Sequence, residues 1–177
     1  MERELRKNQN LLVCIGTGVI MFGFWSVIKG VMTIFLQREE LIAMLEEVKA
    51  SLSQEEVEFF APAFTIVCII IGIIVLLDLL MHIFVGLSAR KEGLGRGKGR
   101  HRAYLVFSVI LFLFSTFSMV MQISSMEKSF AGFLDVIVPV IVDVTFMIML
   151  IELIVVGSKV KTLKRKLKEA KEEEGSS

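Results

Sequence analysis

The sequence predicts an all-α, polytopic integral membrane protein in which four transmembrane helices form a bundle. Hydrophobic residues make up 54% of the 177 residues, although 22% of the residues are charged. The two fractions are compatible because the charges are concentrated between four apolar segments, at about 11–36, 61–88, 103–122 and 133–156. Each segment reaches the roughly 20 residues that a helix needs to cross a bilayer. No segment has the alternating pattern of membrane β-strands, and the composition excludes a soluble α/β enzyme.

The first apolar segment is longer than the about 7–15 residues of a signal peptide, so we predict that it is the first span. Gly16, Gly23 and Gly30 recur in it at seven-residue intervals. Small residues at this repeat let helix backbones approach closely, which predicts a packing seam.

In the third span, polar side chains fall on one face of the helix. They predict either interhelical hydrogen bonds or a hydrated lining. The residues of this second seam are Ser108, Ser115 and Gln122.

The segment 37–60 carries seven Glu residues against two cations. Its apolar residues recur at helical spacing, which predicts an acidic amphipathic helix on the extracytoplasmic side. Either a solvated helix over the mouth of the bundle or a docking surface for a partner fits this pattern.

The distribution of Lys and Arg predicts the orientation. Of the 20 cations, three precede the first span, six lie in the Gly/Arg loop 89–102 and seven in the tail 158–177. The positive-inside rule therefore predicts cytoplasmic termini, in what we expect to be a plasma membrane.

We expect the cations of 90–102 and 159–168 to contact anionic lipid headgroups. The loop glycines match no phosphate-binding spacing, and no nucleic-acid binding is expected.

The C-terminal segment 158–177 extends the membrane domain 1–157 as a charged cytoplasmic helix. Val160, Leu163, Leu167 and Ala170 are spaced as the a and d positions of a coiled coil. Two heptads are too short to be stable alone. They predict a seam for an oligomer or a partner helix, and a solvated helical stub is the alternative.

Five charged residues lie inside the apolar segments, together with His82; they are Lys29, Asp78, Asp135, Asp143 and Glu152. Charge near the centre of a span costs about 2.5–3.5 kcal/mol on insertion scales, so such residues are functional candidates. Lys29 and Asp143 lie at similar depths in their helices, which predicts an ion pair between them. Asp78, His82 and Glu152 lie nearer the predicted cytoplasmic side and are predicted to form a second group.

Asp143 and Glu152 are separated by nine residues, which places them on opposite sides of the fourth span. A monomeric bundle can bury one of these faces but not easily both. One acid should therefore face lipid, extend its side chain to the membrane surface, as Glu152 could from five residues before Gly157, or meet another protein. The last option predicts a homo-oligomer or a complex with another membrane protein.

Two classes of function follow. The first is a non-enzymatic membrane protein that assembles with itself or with a larger complex as an accessory or regulatory subunit. The alternative is a proton- or cation-coupled transporter or channel subunit that uses Asp78, Glu152 and Asp143. Neither H-E-x-x-H nor G-x-S-x-G occurs, so no catalytic residue, metal site or cofactor is predicted.

Overall fold

The computed structural model describes residues 1–36, 38–52, 54–96, 101–124 and 130–175. It contains five α-helices and, within these ranges, no strand. The all-helical prediction is confirmed. The helices are α1 (Glu2–Leu36), α2 (Arg38–Ser51), α3 (Gln54–Gly93), α4 (His101–Ser124) and α5 (Phe130–Gly175).

Four of these helices are long and apolar enough to cross a membrane. Their most apolar stretches have mean hydropathies of 2.2 in α1, 3.0 in α3, 2.2 in α4 and 2.5 in α5. The prediction of four long apolar helices is therefore confirmed. All four continue beyond the predicted spans, and α5 includes the tail as far as Gly175. Lys, Glu and Leu have high helix propensity, so the polar tail can extend the apolar helix without a break.

The chain divides into two compact units. Unit 1 comprises Met1–Phe22 with Met81–Ser177, and unit 2 comprises Gly23–Leu80. Unit 1 contains the first part of α1, the last part of α3, and all of α4 and α5. Its core is apolar, and the fully or almost fully buried residues are Leu12, Ile15, Val19, Val85, Ala89, Tyr104, Leu111, Phe146, Leu150, Leu153, Val156 and Val160.

One face of α5 supplies much of the core of unit 1. Its buried positions Phe146, Leu150, Leu153, Gly157 and Val160 alternate between spacings of four and three residues. This repeat gives a straight seam that packs against neighbouring helices in a nearly parallel or antiparallel arrangement. The same repeat continues into the tail at Lys164, Leu167 and Lys171, so of the predicted tail seam only Val160 and Leu167 fall on it.

The first part of α1 crosses the last part of α3 at a pair of glycines. A Cβ atom on Gly16 would lie 2.7 Å from the carbonyl oxygen of Gly86, and one on Gly86 would lie 2.5 Å from that of Gly16. Gly93, one heptad beyond Gly86, approaches the carbonyl oxygen of Gln9 in the same way, at 2.5 Å from an added Cβ. The backbones of α1 and α3 are thus in contact where side chains would normally separate them.

Few side chains are buried among the residues of unit 2 whose burial the structure describes. Ile69, Ile73 and Leu76 of α3 are each more than half exposed. Large apolar side chains at this density are unfavourable in water and favourable in hydrocarbon. At the other end of the unit, Lys49 of α2 lies 5.9 Å above the ring of Phe60, which stacks on Phe64.

The glycine crossing predicts a specific loss of stability. In Gly86→Ala the new methyl group would meet the backbone of α1, which cannot move as a side chain can. We expect the free energy of unfolding in detergent to fall by about 1–3 kcal/mol, as for overpacked cores. Gly72→Ala is the control on the same helix, because nothing lies within 4 Å of an added Cβ there. Equal stability of the two variants would show that the crossing is not tightly packed.

Candidate functional site at the polar end of unit 1

The polar end of unit 1 is formed by Glu2–Gln9 of α1, residues 90–96 at the end of α3, and residues 159–171 of α5. It contains a buried ion pair and a basic cleft. Both depend on how α3 ends, because the last turn of that helix carries the acid of the ion pair.

A Schellman motif terminates α3. Gly95 has a φ of +72°, in the left-handed region that favours glycine. Its N–H donates to the carbonyl oxygen of Glu92 at 3.0 Å, and the N–H of Arg96 donates to that of Lys91 at 2.9 Å. These two bonds are those of the motif, which satisfies the last carbonyl groups of the helix. They hold Glu92 in a defined position in the last turn of α3.

Glu92 forms a buried ion pair with Lys164 of α5. The Lys164 Nζ donates to the Glu92 Oε1 at 2.6 Å. The side chain of Glu92 is only 5% exposed, whereas that of Lys164 is 32% exposed. Burial weakens screening by water, so this pair couples α3 to the tail more strongly than a surface ion pair would. The other described ion pairs of the tail, Arg165–Glu169 and Lys168–Glu172, are exposed and lie within one helix.

A second close contact joins α4 to α5 near this end. Tyr104 is buried, and its hydroxyl oxygen would lie 2.6 Å from a Cβ added to Gly157. Because only glycine leaves this space, Gly157 allows the phenol to lie against the backbone of α5. One turn further along α4, Ser108 is fully buried, and its hydroxyl donates to the Tyr104 carbonyl oxygen at 2.7 Å.

A cleft of about 410 Å³ opens between the beginning of α1 and the tail of α5. It lies wholly within unit 1. Four of its side chains are cationic and one is acidic, with two leucines and a glutamine completing the wall. The lining residues of this basic cleft are Glu2, Leu5, Arg6, Gln9, Lys164, Leu167, Lys168 and Lys171.

The predicted intramembrane residues differ in burial. In unit 1, His82 is buried, Asp143 is half-buried and Glu152 is exposed. The ring of His82 stacks on that of Phe146 at 5.0 Å between centroids. Lys29 and Asp78 belong to unit 2, where both are half-buried. The pairing of Lys29 with Asp143 stays a prediction.

The predicted packing residues also have distinct environments. Gly16 lies at the crossing of α1 with α3, Gly23 is buried in unit 2, and a Cβ on Gly30 would meet nothing within 4 Å. Ser115 is half-buried. The Ser108 hydroxyl donates to the Tyr104 carbonyl oxygen of its own helix, which satisfies the hydroxyl. The role of this residue in a packing seam or a hydrated lining stays a prediction. The Gln122 side chain lies outside the described residues, as do residues 97–100 of the predicted lipid-binding loop.

The predicted tail seam begins inside the core of unit 1. Val160 is fully buried, Leu163 and Leu167 are half-buried, and Ala170 is exposed. The first part of the seam is therefore used within the chain, since Val160 belongs to the core of unit 1.

Sequence reasoning missed three features of this end: the Glu92–Lys164 pair, the glycines Gly86 and Gly93, and the basic cleft. Gly86 and Gly93 were visible as a seven-residue repeat, as in α1. Glu92 was visible as an acid within the basic run Arg90-Lys-Glu. Its partner was not visible, because the two residues are 72 positions apart.

Among the described residues, no group of three or more His, Cys, Asp or Glu could hold a metal ion. Comparison with protein-family models, with curated proteins and with solved structures finds no match to this chain.

The ion pair predicts a measurable coupling between α3 and the tail. In a double-mutant cycle of Glu92→Met and Lys164→Met, we expect a coupling energy of about 2 kcal/mol, between the values for exposed and buried pairs. Each single change should lower the free energy of unfolding, and the double variant should recover part of the loss. The cycle of Arg165→Met and Glu169→Met is the control, with a coupling of at most about 0.5 kcal/mol expected for an exposed pair. Equal coupling in both cycles would contradict the structural importance of Glu92.

Proposed function

We propose that the chain is a non-enzymatic integral membrane protein that assembles in the bilayer, with itself or with another membrane protein, as an accessory or regulatory subunit. The observation that carries the proposal is the position of Glu152. This acid lies in the apolar part of α5, yet its side chain is exposed on the surface of unit 1.

The surroundings of Glu152 are those of a lipid-facing surface. Ile148, Ile151 and Val155, its neighbours along and across the helix surface, are all about half exposed. A carboxyl group among such residues costs free energy in hydrocarbon, about 2.5 kcal/mol or more at the centre of a span and less at Glu152, which lies five residues from the end of the apolar run. Contact with a polar group of another membrane helix would remove much of this cost.

Extension of the Glu152 side chain to the membrane surface (snorkelling) would remove little of this free-energy cost. The apolar run of α5 ends near Gly157, five residues or about 7.5 Å further along the axis. Side chains on a helix lean towards its N-terminus, which for α5 is the end away from Gly157. To reach the nearer polar end, the Glu152 side chain would have to extend against this lean, and this favours an interhelical contact.

We also infer that both termini, the basic loop and the tail are cytoplasmic, and that α2 lies on the opposite side. Sixteen of the 20 cations precede the first span or follow the second and fourth spans. This asymmetry is the signal that orients membrane proteins during insertion.

A second candidate function is proton- or cation-coupled transport. It is favoured by the half-buried acids Asp78 and Asp143, each within the apolar part of a long helix. Acids in such positions are typical of proton relays. This candidate predicts acidification of liposomes that contain the protein and are placed in a proton gradient. We expect no flux above that of empty liposomes.

Assembly is tested by counting subunits. The full chain is reconstituted in vesicles at several lipid-to-protein ratios, and the number of copies per particle is measured by single-molecule photobleaching. We expect a dimer or larger complex for the wild type. Glu152→Leu should weaken assembly about tenfold, as expected for loss of an interhelical hydrogen bond of about 1–2 kcal/mol. Glu152→Gln should assemble as the wild type does, because the amide also forms hydrogen bonds.

Glu46→Leu is the matched control, since Glu46 is an exposed acid of α2 outside the apolar helices. It should leave the subunit count unchanged. A monomeric wild type, both in vesicles and in mild detergent extracts with the other membrane proteins of the cell, would overturn the proposal. So would unaltered assembly of Glu152→Leu.

A further inference from the structure

The basic cleft has a composition that the assembly proposal does not use. Arg6 contributes one cation from α1, and Lys164, Lys168 and Lys171 contribute three from α5. Glu2 is the acid among its lining residues. Two of the cations also pair with acids outside the lining, Lys164 with the buried Glu92 and Lys168 with the exposed Glu172, which leaves Arg6 and Lys171 to balance Glu2 with one positive charge in excess. An excess of positive charge in a concave site attracts anions more strongly than the same charges on a flat surface, because the low-dielectric walls focus the field.

The three lysines lie on one face of the tail. Their spacings of four and three residues match the helical repeat, so they form a row that faces α1 across the cleft. Lys161 and Lys166 are exposed on the same tail but do not line the cleft. The tail thus carries one row of cations that lines the cleft and further cations that lie outside the cleft.

The Glu92–Lys164 pair determines where the row begins. Lys164 is held at 2.6 Å from the Glu92 carboxylate, and Glu92 is held by the end of α3. This contact fixes Lys164 at the end of the cleft that lies nearest the apolar part of α5. Lys168 and Lys171 extend outward from it, and the apolar side chains of Leu5 and Leu167 complete the walls.

The cleft also begins where the apolar helices end. Gln9 precedes Leu11, the first residue of the long apolar run of α1, by two residues, and Lys164 follows Gly157, near which the apolar run of α5 ends, by seven. These offsets correspond to about 3 Å and about 10 Å along a helix. The polar headgroup layer of a bilayer extends about 5–7 Å beyond the hydrocarbon on each side. The α1 wall of the cleft therefore begins within the headgroup layer. The α5 wall begins a few Å beyond that layer, a gap that a lysine side chain leaning towards the N-terminus of α5 can span.

We propose that the basic cleft binds the phosphate-bearing headgroup of one anionic phospholipid per chain. The volume of about 410 Å³ lies in the range of small-ligand sites and accommodates a headgroup. Lys168 and Lys171 contact the phosphate and neutralise its charge, while Lys164 marks the inner limit of the site. Basic pockets between helices at the cytoplasmic surface bind anionic headgroups in this way. The proposal depends on residence in a membrane and not on assembly through Glu152, so the two can fail independently.

The test uses the full chain purified in a non-ionic detergent and titrated with phosphatidylglycerol or with zwitterionic phosphatidylcholine. Native mass spectrometry counts the lipids retained per chain. We expect one phosphatidylglycerol to be retained at concentrations where phosphatidylcholine is not. Lys168→Gln with Lys171→Gln should weaken this binding by about thirtyfold, the value for two lysines near an anionic headgroup.

The matched control is Lys161→Gln with Lys166→Gln, which removes the same charge from the same helix outside the cleft. Its affinity should stay within about twofold of the wild type, because salt screens charges beyond about 8 Å. All four lysines are exposed, so thermal unfolding of both double variants without added lipid should match the wild type.

Three outcomes would overturn the proposal. The first is equal retention of the two lipids, and the second is an equal loss of affinity in the two double variants. The third is displacement of phosphatidylglycerol by inorganic phosphate or glycerol phosphate at comparable concentrations, which would make the cleft a site for a soluble phosphate compound.

Discussion

The hydrocarbon of a bilayer tolerates neither unpaired backbone groups nor unpaired charge, and this constraint organises the chain. It requires helices wherever the backbone crosses, and the four long apolar helices α1, α3, α4 and α5 meet that requirement. The same constraint places charged residues at the ends of these helices. Side-chain hydroxyls in the apolar helices follow the same constraint, since those of Thr17, Ser108, Thr116 and Thr145 donate to carbonyl oxygens one turn back in their own helices. The exposed Glu152 departs from this order, and for that reason it is the residue on which the assembly proposal rests.

At the polar end of unit 1 and next to it, glycine contacts and one ion pair hold the helices together in addition to apolar packing. Gly16, Gly86 and Gly93 bring α1 and α3 into backbone contact, and Gly157 admits Tyr104 against α5. Between these contacts, Glu92 joins the end of α3 to the tail through Lys164. The tail is thus an integrated part of unit 1, and the row of cations that follows Lys164 is presented at a defined place. Cations placed by the fold can form a ligand site, whereas cations on a flexible segment attract anions without selecting them.

The helices were predictable because the thickness of hydrocarbon translates directly into the length of an apolar segment. Residues 11–36 and 61–88 could be assigned to helices for that reason, although the structure continues α3 to Gly93. The helical repeat also predicted that Asp143 and Glu152 lie on opposite sides of the same helix. In the structure, Asp143 is half-buried and Glu152 is exposed. The Glu92–Lys164 pair could not be predicted, because it depends on the relative register of two helices rather than on any local pattern. The same holds for the basic cleft, whose walls come from opposite ends of the chain.

The account depends most directly on four crossings of the membrane with both termini on the cytoplasmic side. Single cysteines at Lys7, Ser51 and Lys166 test it in a background of Cys14→Ser and Cys68→Ser, with a membrane-impermeant maleimide applied to intact cells. All three positions are exposed in the structure. We expect Ser51→Cys to react in intact cells, and Lys7→Cys and Lys166→Cys to react only after the membrane is permeabilised. Reaction of Ser51→Cys and Lys166→Cys from the same side would contradict the account.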